Sequence, residues 1–365
     1  MPDKIEHAYA LIMAGGIGSR FWPLSKTKQP KQFLDILGMG KTLLQQSYER
    51  LTPLFPPENI FVSTQEAFAD MARRQLHDMI PSSLVLEPMR KNTAPCIAYM
   101  AFKLAAIDPN AVLVVCPSDH LILDENDYRG ILQQAVDYAS GKDALITLGI
   151  RPTRPDTGYG YIQYVDDEPV ANSFYKVKVF VEKPSLEIAK TFLASGDFLW
   201  NAGIFIWNVK SILKAFQHLL PDMFELFNEN RKLFNTPKEY SAMKNIYSLC
   251  PNLSIDHGIL EKSKNVYVIP AHFGWSDLGT WASLYESHAK DIHGNSVTGK
   301  NVDTGLHTQN CMVHISDHKL AVIHDLEGYI VVDTDDILLI CRLDKEQEIK
   351  QIVAEVKRTK GEKYL

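Results

Sequence analysis

The stretch AYALIMAGGIGSRFWP, residues 8–23, decides the fold of this chain. Its first six residues are almost continuously apolar, which is typical of a strand covered on both faces. Glycines follow at once, and glycines after a strand let backbone N–H groups approach a phosphate. Residues 14–34 contain no acid but carry four basic side chains, Arg20, Lys26, Lys28 and Lys31. The stretch therefore predicts a buried strand that leads into a phosphate-binding loop.

Short apolar runs recur along the first half of the chain, at residues 60–63, 83–86, 112–116 and 144–148. Between them, apolar side chains keep the spacing of amphipathic helices. This alternation predicts the α/β class, with a Rossmann-like, mostly parallel mixed sheet and helices on both of its faces. Because ligands of such sheets bind at the carboxyl ends of the strands, residues directly after strands are the candidates for a site.

Beyond residue 288 the pattern changes. Strand candidates at residues 311–315, 319–324, 329–333 and 337–342 follow one another without helices between them, which predicts a small β-rich unit. A last stripe places Ile349, Ile352, Val353 and Val356 on one helical face. We place the boundary near Gly294, with one domain over residues 1–290 and a small β-rich domain with a terminal amphipathic helix over residues 295–365.

The composition agrees with two packed domains. The chain has 365 residues, of which 45% are hydrophobic and 22% charged, and its formal charge is −6. The acidic balance argues against a nucleic-acid partner. The longest apolar run, residues 198–207, is shorter than the roughly 20 residues that span a bilayer, and the charged start of the chain shows no signal core. We therefore expect a cytoplasmic protein with no membrane role.

Two familiar phosphate-binding motifs do not match the loop after the first strand. A dinucleotide fingerprint requires a third glycine where Phe21 stands. A Walker A loop ending at residues 40–42 requires a glycine where Asp35 stands. An ordinary glycine-rich turn is the remaining alternative, but it gives no reason for four clustered basic residues.

Residues 14–33 resemble the signature of sugar-1-phosphate nucleotidyltransferases, and residues 21–23 and 30–33 are most similar to its mannose-1-phosphate guanylyltransferase branch. The resemblance extends over about the first 290 residues. Its further motifs lie at residues 87–88, 90–95, 117–120, 157–161, 182–184, 200–203 and 275–279. Lys91, which separates Arg90 from Asn92, departs from the usual pattern and leaves the role of Arg90 open.

The resemblance implies that residues 1–290 form a catalytic domain and that the β-rich domain is β-helix-like. The implied reaction transfers GMP from GTP to α-D-mannose 1-phosphate, giving GDP-mannose and pyrophosphate, by in-line attack on the α-phosphate. The implied catalytic residues are Arg20, Lys31, Asp119, Lys183 and Asp277, with Asp119 and Asp277 holding Mg²⁺. The implied nucleotide-binding residues are Ala14, Gly15, Gly16, Gly18, Ser19, Arg20, Lys31, Glu87, Asn92, Thr93, Ala94, Ser118 and Asp119. Those implied for the sugar phosphate are Gly158, Tyr159, Glu182, Lys183 and Asn201.

Glu87 provides a chemical basis for the choice of nucleotide base. Guanine presents two donors on one edge, which a carboxylate accepts together, whereas an amide suits uracil or thymine better. Two local alternatives stay open: Lys183 with Glu182 also fits a surface ion pair, and Asn201 also fits a buried amide satisfied by the backbone.

Other functions remain as alternatives to guanylyl transfer. One is the same chemistry with another nucleotide or hexose 1-phosphate, and another is a non-catalytic regulatory subunit that binds a sugar nucleotide. The second is disfavoured because all five implied catalytic residues are present. The apolar face of the last helix predicts a homodimer, and the chain length leads us to expect a single activity without an isomerase domain.

Overall fold

The computed structural model describes residues 7–16, 18–165, 169 and 173–365, and of Ser19 it describes the backbone. The chain forms two compact units. The first unit comprises Met1–Gly15, Ser47–Ser118 and Ile122–Trp275, and the second comprises Gly16–Gln46, Asp119–Leu121 and Ser276–Leu365. Neither unit coincides with the domains predicted over residues 1–290 and 295–365. The division of the chain into those two domains stays a prediction.

The strands, in chain order, are β1 (Ala8–Met13), β2 (Ile60–Gln65), β3 (Leu84–Glu87), β4 (Val112–Pro117), β5 (Leu121–Ile122), β6 (Leu145–Ile150), β7 (Gly160–Tyr164), β8 (Tyr175–Glu182), β9 (Phe198–Asn208), β10 (Val266–Ala271), β11 (Trp275–Ser276), β12 (Ser296–Thr298), β13 (Val302–Asp303), β14 (Met312–His314), β15 (Ala321–Val322), β16 (Tyr329–Asp333) and β17 (Leu338–Arg342). The α-helices are α1 (Leu43–Leu51), α2 (Ala69–Gln75), α3 (Thr93–Ala105), α4 (Glu125–Ser140), α5 (Leu186–Ser195), α6 (Val209–Leu219), α7 (Pro221–Glu229), α8 (Glu239–Leu249), α9 (Trp281–Ser287) and α10 (Ile349–Lys360).

The first unit contains a nine-stranded sheet in the order β3-β2-β1-β4-β9-β6-β10-β8-β7. Strands β1 to β4 pair in parallel, and so do β6 and β10, whereas β9 runs antiparallel between β4 and β6. The predicted mixed, mostly parallel α/β sheet is thus confirmed for its first half. The antiparallel strand β9 could not be recognised from its pattern, because a long apolar run carries no sign of strand direction.

Burial explains why this sheet forms. The side chains of Ala8, Ala10, Leu11 and Ile12 in β1 are completely buried, and most of α3 is buried against the sheet. A large apolar side chain such as that of Leu11 or Ile12 stabilises the fold by about 1.5–3 kcal/mol when it leaves water. Among the described residues, no helix is long and apolar enough to cross a membrane.

The second unit contains the β-rich part of the chain. Strands β12, β14 and β16 pair in parallel in one sheet, which β17 extends in the antiparallel sense, and β13 pairs in parallel with β15. Successive parallel strands stacked in this way produce the β-helix-like form that the resemblance implies. The apolar face of α10 packs into this unit, since Ile349 is buried and Ile352, Val353 and Val356 lie against the same core.

The loop that follows β1 belongs to the second unit from Gly16 onward. Its aromatic residues Phe21 and Trp22 are buried in one core with Trp281, Met312 and other apolar residues of the β-rich segment. The rings of Phe21 and Trp281 lie 5.0 Å apart between centroids. Sequence patterns did not reveal this packing, because the two segments are far apart in the chain.

Candidate active site

At the start of the loop after β1, two backbone carbonyls accept hydrogen bonds from side chains of the neighbouring strand β2. Thr64 Oγ1 donates to the carbonyl of Ala14 at 2.9 Å, and Gln65 Nε2 donates to the carbonyl of Gly15 at 2.9 Å. Sequence reasoning missed Thr64 and Gln65. The signal was present, since both are polar residues at the carboxyl end of the buried strand β2.

The next part of the loop is shaped around Lys31. Gln32 Nε2 donates to the carbonyl of Gly16 at 2.8 Å. Gly18 has φ 59°, and a Cβ there would lie 2.8 Å from the Cβ and Cγ of Lys31. A glycine is therefore required at position 18 both by its left-handed backbone and by the closeness of the lysine stem.

Lys31 brings together residues that the sequence predicted as catalytic. Its side chain is only 5% exposed, and its Nζ lies 3.0 Å from Asp119 Oδ2. The same Nζ donates to the carbonyl oxygens of Asp277 and Leu278 at 2.8 and 2.7 Å. Lys31, Asp119 and Asp277 thus form one cluster in the second unit.

The charge of Lys31 controls the ionisation of Asp119. Burial by itself raises the pKa of this carboxyl, but the nearby Lys31 ammonium and His120 outweigh it, so the pKa lies below its ordinary value. Asp119 is therefore ionised at neutral pH, which is the form that binds a cation.

Asp277 lies in a tight turn before α9. Its Oδ1 accepts a hydrogen bond from Gly279 N at 2.9 Å, and Leu278 in the same turn has φ 44°. Among the described residues, no group of three or more His, Cys, Asp or Glu side chains is arranged to hold a metal ion. Two carboxylates still fit Mg²⁺ by the chemistry of their oxygen donors, because this ion keeps several waters and shares substrate phosphates instead of using an all-protein cage.

Arg20 lies half-buried in the 3-10 turn Ser19–Phe21 of the second unit. The two residues that follow it, Phe21 and Trp22, are buried, so the backbone on that side of Arg20 is fixed by packing. The side chain of Ser19 lies outside the described part of the chain.

Glu87 ends strand β3 in the first unit and is 7% exposed. Its two carboxylate oxygens accept hydrogen bonds from Ser63 Oγ at 2.7 Å and Tyr247 OH at 3.1 Å. Burial raises the pKa of this carboxyl, although the two hydroxyl donors oppose the shift. A Cβ built on Gly15 would lie 3.5 Å from Glu87 Oε1, so the carboxylate lies directly against the start of the loop.

The residues from Asn92 to Ala94 begin helix α3. Asn92 has φ 66°, and its side chain accepts a hydrogen bond from Thr93 N at 2.9 Å as the helix N-cap. Thr93 Oγ1 accepts from Ile255 N at 2.9 Å, and Ala94 N donates to Leu253 O at 3.0 Å. Ser118, in contrast, bonds through its backbone, with its N–H donating to Met13 O at 3.1 Å.

The residues predicted for the sugar phosphate form a second cluster in the first unit. Lys183 Nζ forms an ion pair with Glu182, whose side chain is 8% exposed, and Lys183 N donates to Tyr159 O at 3.2 Å. A Cβ on Gly160 would collide with Glu182 and lie 3.2 Å from the Cβ of Asn201. The loop that contains Gly158 is fixed by its N–H, which donates to Asp156 Oδ1 at 2.7 Å.

Asn201 is held by three hydrogen bonds within the protein. Its Oδ1 accepts from Thr147 Oγ1 at 2.9 Å and from Gly203 N at 3.1 Å, and its Nδ2 donates to Asp256 Oδ1 at 2.9 Å. Asp256 was missed by sequence reasoning. Burial, and next the negative charge of Glu182, raise the pKa of Asp256 to about 6. It begins a π-helical turn, Asp256–Leu260, a form often found at functional sites.

Arg154 was also missed. Its guanidinium lies 5.3 Å from the ring centroid of Trp200 and 5.8 Å from that of Tyr159, and it forms an ion pair with Asp156 at 2.8 Å. These contacts brace the loop of Gly158 and Tyr159. The basic and aromatic residues crowded between positions 151 and 161 were the available signal.

The mixed α/β sheet, with a glycine-rich and lysine-containing loop after its first strand, defines an α/β nucleotidyltransferase fold. The chain belongs to the nucleotidyl transferase family, whose model matches residues 9–294. The model of the MannoseP isomerase/GMP-like beta-helix domain matches residues 300–356. The family resemblance and the β-helix-like character of the last segment are thereby confirmed.

Similar proteins have names in sugar-nucleotide and polysaccharide synthesis. The mannose-1-phosphate guanylyltransferase of Salmonella montevideo is 35% identical over 355 residues, which are 95% of this chain and 73% of that protein. The alginate biosynthesis protein AlgA of Pseudomonas aeruginosa is 33% identical over 352 residues, 95% of this chain and 71% of that protein. A crystal structure described as mannose-1-phosphate geranyltransferase from Thermus thermophilus is 33% identical, has a TM-score of 0.84 and covers 96% of this chain and 99% of its own.

Proposed function

We propose that this enzyme transfers GMP from GTP to α-D-mannose 1-phosphate and releases pyrophosphate. The observation that carries the proposal is the buried Lys31 ammonium, which contacts Asp119 and the backbone of Asp277 in one cluster. A relative named mannose-1-phosphate guanylyltransferase, 35% identical along 95% of this chain, supports the choice of substrates.

In this reaction an oxygen of the sugar phosphate attacks the α-phosphorus of GTP. A new P–O bond forms to the α-phosphorus, in line with the bond from this phosphorus to the oxygen that bridges it to the β-phosphorus. The second bond breaks, and its electron pair leaves with that oxygen on pyrophosphate. The attacking phosphate is already ionised near neutral pH, so no strong base is required. The task of Arg20 and Lys31 is to orient the triphosphate and to stabilise the charge that develops on it.

We assign the metal to Asp119 and Asp277, and we propose Mg²⁺ as the ion. Members of this family generally use a divalent metal, and ionised carboxylates are the donors that Mg²⁺ prefers. When bound, the ion would neutralise phosphate charge next to Lys31.

We assign the guanine edge to Glu87. The other nucleotide contacts are assigned to the loop residues Ala14, Gly15, Gly16, Gly18, Ser19 and Arg20, and to Asn92, Thr93, Ala94 and Ser118. The hydroxyls of Ser63 and Tyr247 orient the Glu87 carboxylate. Each carboxylate oxygen has a second lone pair, so Glu87 can accept the two guanine donors in addition.

We assign the phosphate of mannose 1-phosphate to Lys183 and its hydroxyls to Glu182, Asn201 and the Gly158–Tyr159 backbone. The support is the clustering of these side chains in one unit, with Lys183 56% exposed and so accessible to a ligand. On this assignment the ion pair with Glu182 holds the ammonium in place until the sugar phosphate binds.

We also propose that the enzyme is a cytoplasmic homodimer. The apolar face of α10, from which the sequence predicted a dimer, does not support it, because that face is packed within the second unit. Another feature does: Leu338 and Ile340 are 60% and 55% exposed on β17, which is the last strand of its sheet. A monomeric mass at micromolar concentration would count against the dimer.

The reaction is tested by a pyrophosphate-release assay that crosses four nucleoside triphosphates with several hexose 1-phosphates, each with and without Mg²⁺. We expect the highest kcat/KM for GTP with mannose 1-phosphate and loss of turnover without the metal. A higher kcat/KM for another pair would replace these substrates, and no turnover with any pair would reject the function.

A further inference from the structure

Glu346 connects the β-rich segment to the start of helix α9, which directly follows the turn that contains Asp277. It lies in the 3-10 turn Leu343–Glu348, between β17 and α10. Its Oε2 accepts a hydrogen bond from Ala282 N at 2.7 Å, which is an N–H of the first turn of α9. These N–H groups have no partner within the helix and carry a partial positive charge, so a carboxylate is the acceptor that stabilises them most.

The first turn of α9 is already capped locally. Thr280 accepts a hydrogen bond from Ser283 N at 3.2 Å, and Ser283 Oγ accepts from Thr280 N at 3.0 Å. This local cap satisfies the N–H groups of Thr280 and Ser283 and leaves that of Ala282 to Glu346. The carboxylate of residue 346 therefore completes the start of α9 from the β-rich segment.

Arg20 lies within electrostatic range of Glu346. Burial raises the pKa of Glu346, and the hydrogen bonds with Ala282, Thr280 and Gln347, followed by the positive charge of Arg20, lower it in part. Arg20 is also the largest influence on Lys350, one helical turn later, and lowers its pKa by repulsion. Glu346 thus adds a negative charge near Arg20, the cation that we assign to the triphosphate.

The backbone after Arg20 is tied to the same elements. Trp22 Nε1 donates to the carbonyl of Tyr364 at 2.7 Å, and Trp281 Nε1 donates to the carbonyl of Trp22 at 3.2 Å. The backbone beside Arg20 is thus connected to Tyr364 and to Trp281. Glu346 holds the N–H of the next residue, Ala282, in the same helix turn.

We propose that Glu346 is a positioning residue of the active site, which sets the geometry of Arg20 and of the Asp277 turn from the β-rich segment. The proposal rests on the proposed guanylyl transfer, since it is for that reaction that Arg20 and Asp277 are assigned. It gives the β-rich segment a function: the catalytic geometry depends on a carboxylate that this segment supplies.

Glu346→Gln and Glu346→Ala separate charge from hydrogen bonding. The glutamine keeps an acceptor for Ala282 N but removes the charge opposite Arg20, and the alanine removes both. We expect kcat to fall about tenfold in Glu346→Ala and less in Glu346→Gln, with KM for mannose 1-phosphate unchanged, because small misplacements of catalytic groups are costly. Glu355→Gln is the matched control, since Glu355 is an exposed residue of α10 paired with Arg358.

Hydrogen–deuterium exchange of the same full-length variants gives a readout that does not depend on turnover. We expect faster exchange in Glu346→Ala in peptides covering residues 18–24 and 276–285, and no change in Glu355→Gln. A helix cap without a positioning role would change residues 280–285 alone. Wild-type kcat in Glu346→Ala, or unchanged exchange at residues 18–24, would overturn the inference. An inactive wild-type enzyme would instead reject the proposed function.

Discussion

Lys31 Nζ lies 3.0 Å from Asp119 Oδ2, in a position where the lysine is almost completely buried. A buried ammonium is costly unless oxygens surround it, and the carbonyls of Asp277 and Leu278 complete its surroundings. The cation is thus held at a fixed point before any phosphate arrives. A triphosphate that binds there meets charge that needs little rearrangement, which is the arrangement that favours a charged transition state.

The first prediction concerns the charge of Asp119. Asp119→Asn keeps the size of the side chain but removes the carboxylate charge from the cluster, so we expect kcat to fall on the order of 10²–10³-fold. Lys31 keeps its two carbonyl acceptors, and the fold should therefore survive. The measurement is steady-state turnover with excess Mg²⁺, together with circular dichroism.

Asp137→Asn is the control for this change, because Asp137 is exposed on α4 and bonds to Gln133. It should keep the wild-type rate. A near-normal rate in Asp119→Asn would remove this residue from the catalytic assignment.

The second prediction uses two neighbouring glycines that differ in their surroundings. Gly18→Ala places a methyl group against the Lys31 stem and requires φ 59°, whereas a Cβ on Gly16 has no atom of the described residues within 4 Å. We expect Gly18→Ala to lower the free energy of unfolding by at least about 1–2 kcal/mol, the cost of a left-handed L-residue alone. Gly16→Ala should leave stability unchanged and weaken GTP binding, because its methyl group contacts no described residue and lies in the proposed phosphate loop.

Denaturant unfolding and GTP titration of both variants test this contrast. Equal stability of the two variants would contradict the described packing of Lys31. Unchanged GTP affinity in Gly16→Ala would place the phosphates elsewhere.

The predicted and the missed parts of the site differ in how local their signals are. Lys31, Asp119 and Asp277 each lie in a short motif after a strand-like run, so the strand pattern and the family resemblance were sufficient to select them. Asp256 has no such signal, since its relation to Asn201 exists only through tertiary packing. Glu346 is similar: an acid in a charged segment looks like a solvated surface residue until the fold brings it to Ala282.

The third prediction concerns base choice. In Glu87→Gln one acceptor oxygen becomes a donor, so one guanine donor loses its partner, and we expect the kcat/KM preference for GTP over the other nucleotides to fall by about 10–100-fold. Tyr247→Phe is the comparison, because it removes one orienting hydroxyl from Glu87 while the carboxylate stays. It should lower the preference for GTP less than Glu87→Gln does. Equal relative kcat/KM values in the wild type and Glu87→Gln would exclude Glu87 from base recognition.

The fourth prediction concerns the pH dependence of stability at Asp256. Its pKa in the folded protein is about 6, raised by burial and by Glu182 from the ordinary 3.8. A raised carboxyl pKa means that the folded state prefers the protonated form. The stabilising contribution of protonated Asp256 is fully present below about pH 4 and is lost as pH rises through about 6.

Asp256→Asn removes this titration but keeps an oxygen that accepts from Asn201 Nδ2. We therefore expect the Tm of Asp256→Asn to exceed that of the wild type by an amount that is small at about pH 4.5 and grows until about pH 7, because only the wild type must then bury a charge. Asp222→Asn is the control, since Asp222 is exposed at the start of α7. Thermal unfolding from about pH 4.5 to about pH 7.5 gives the comparison. A Tm difference that shrinks as pH rises would mean that the Asp256 carboxylate stabilises the fold and that its environment is not the one described.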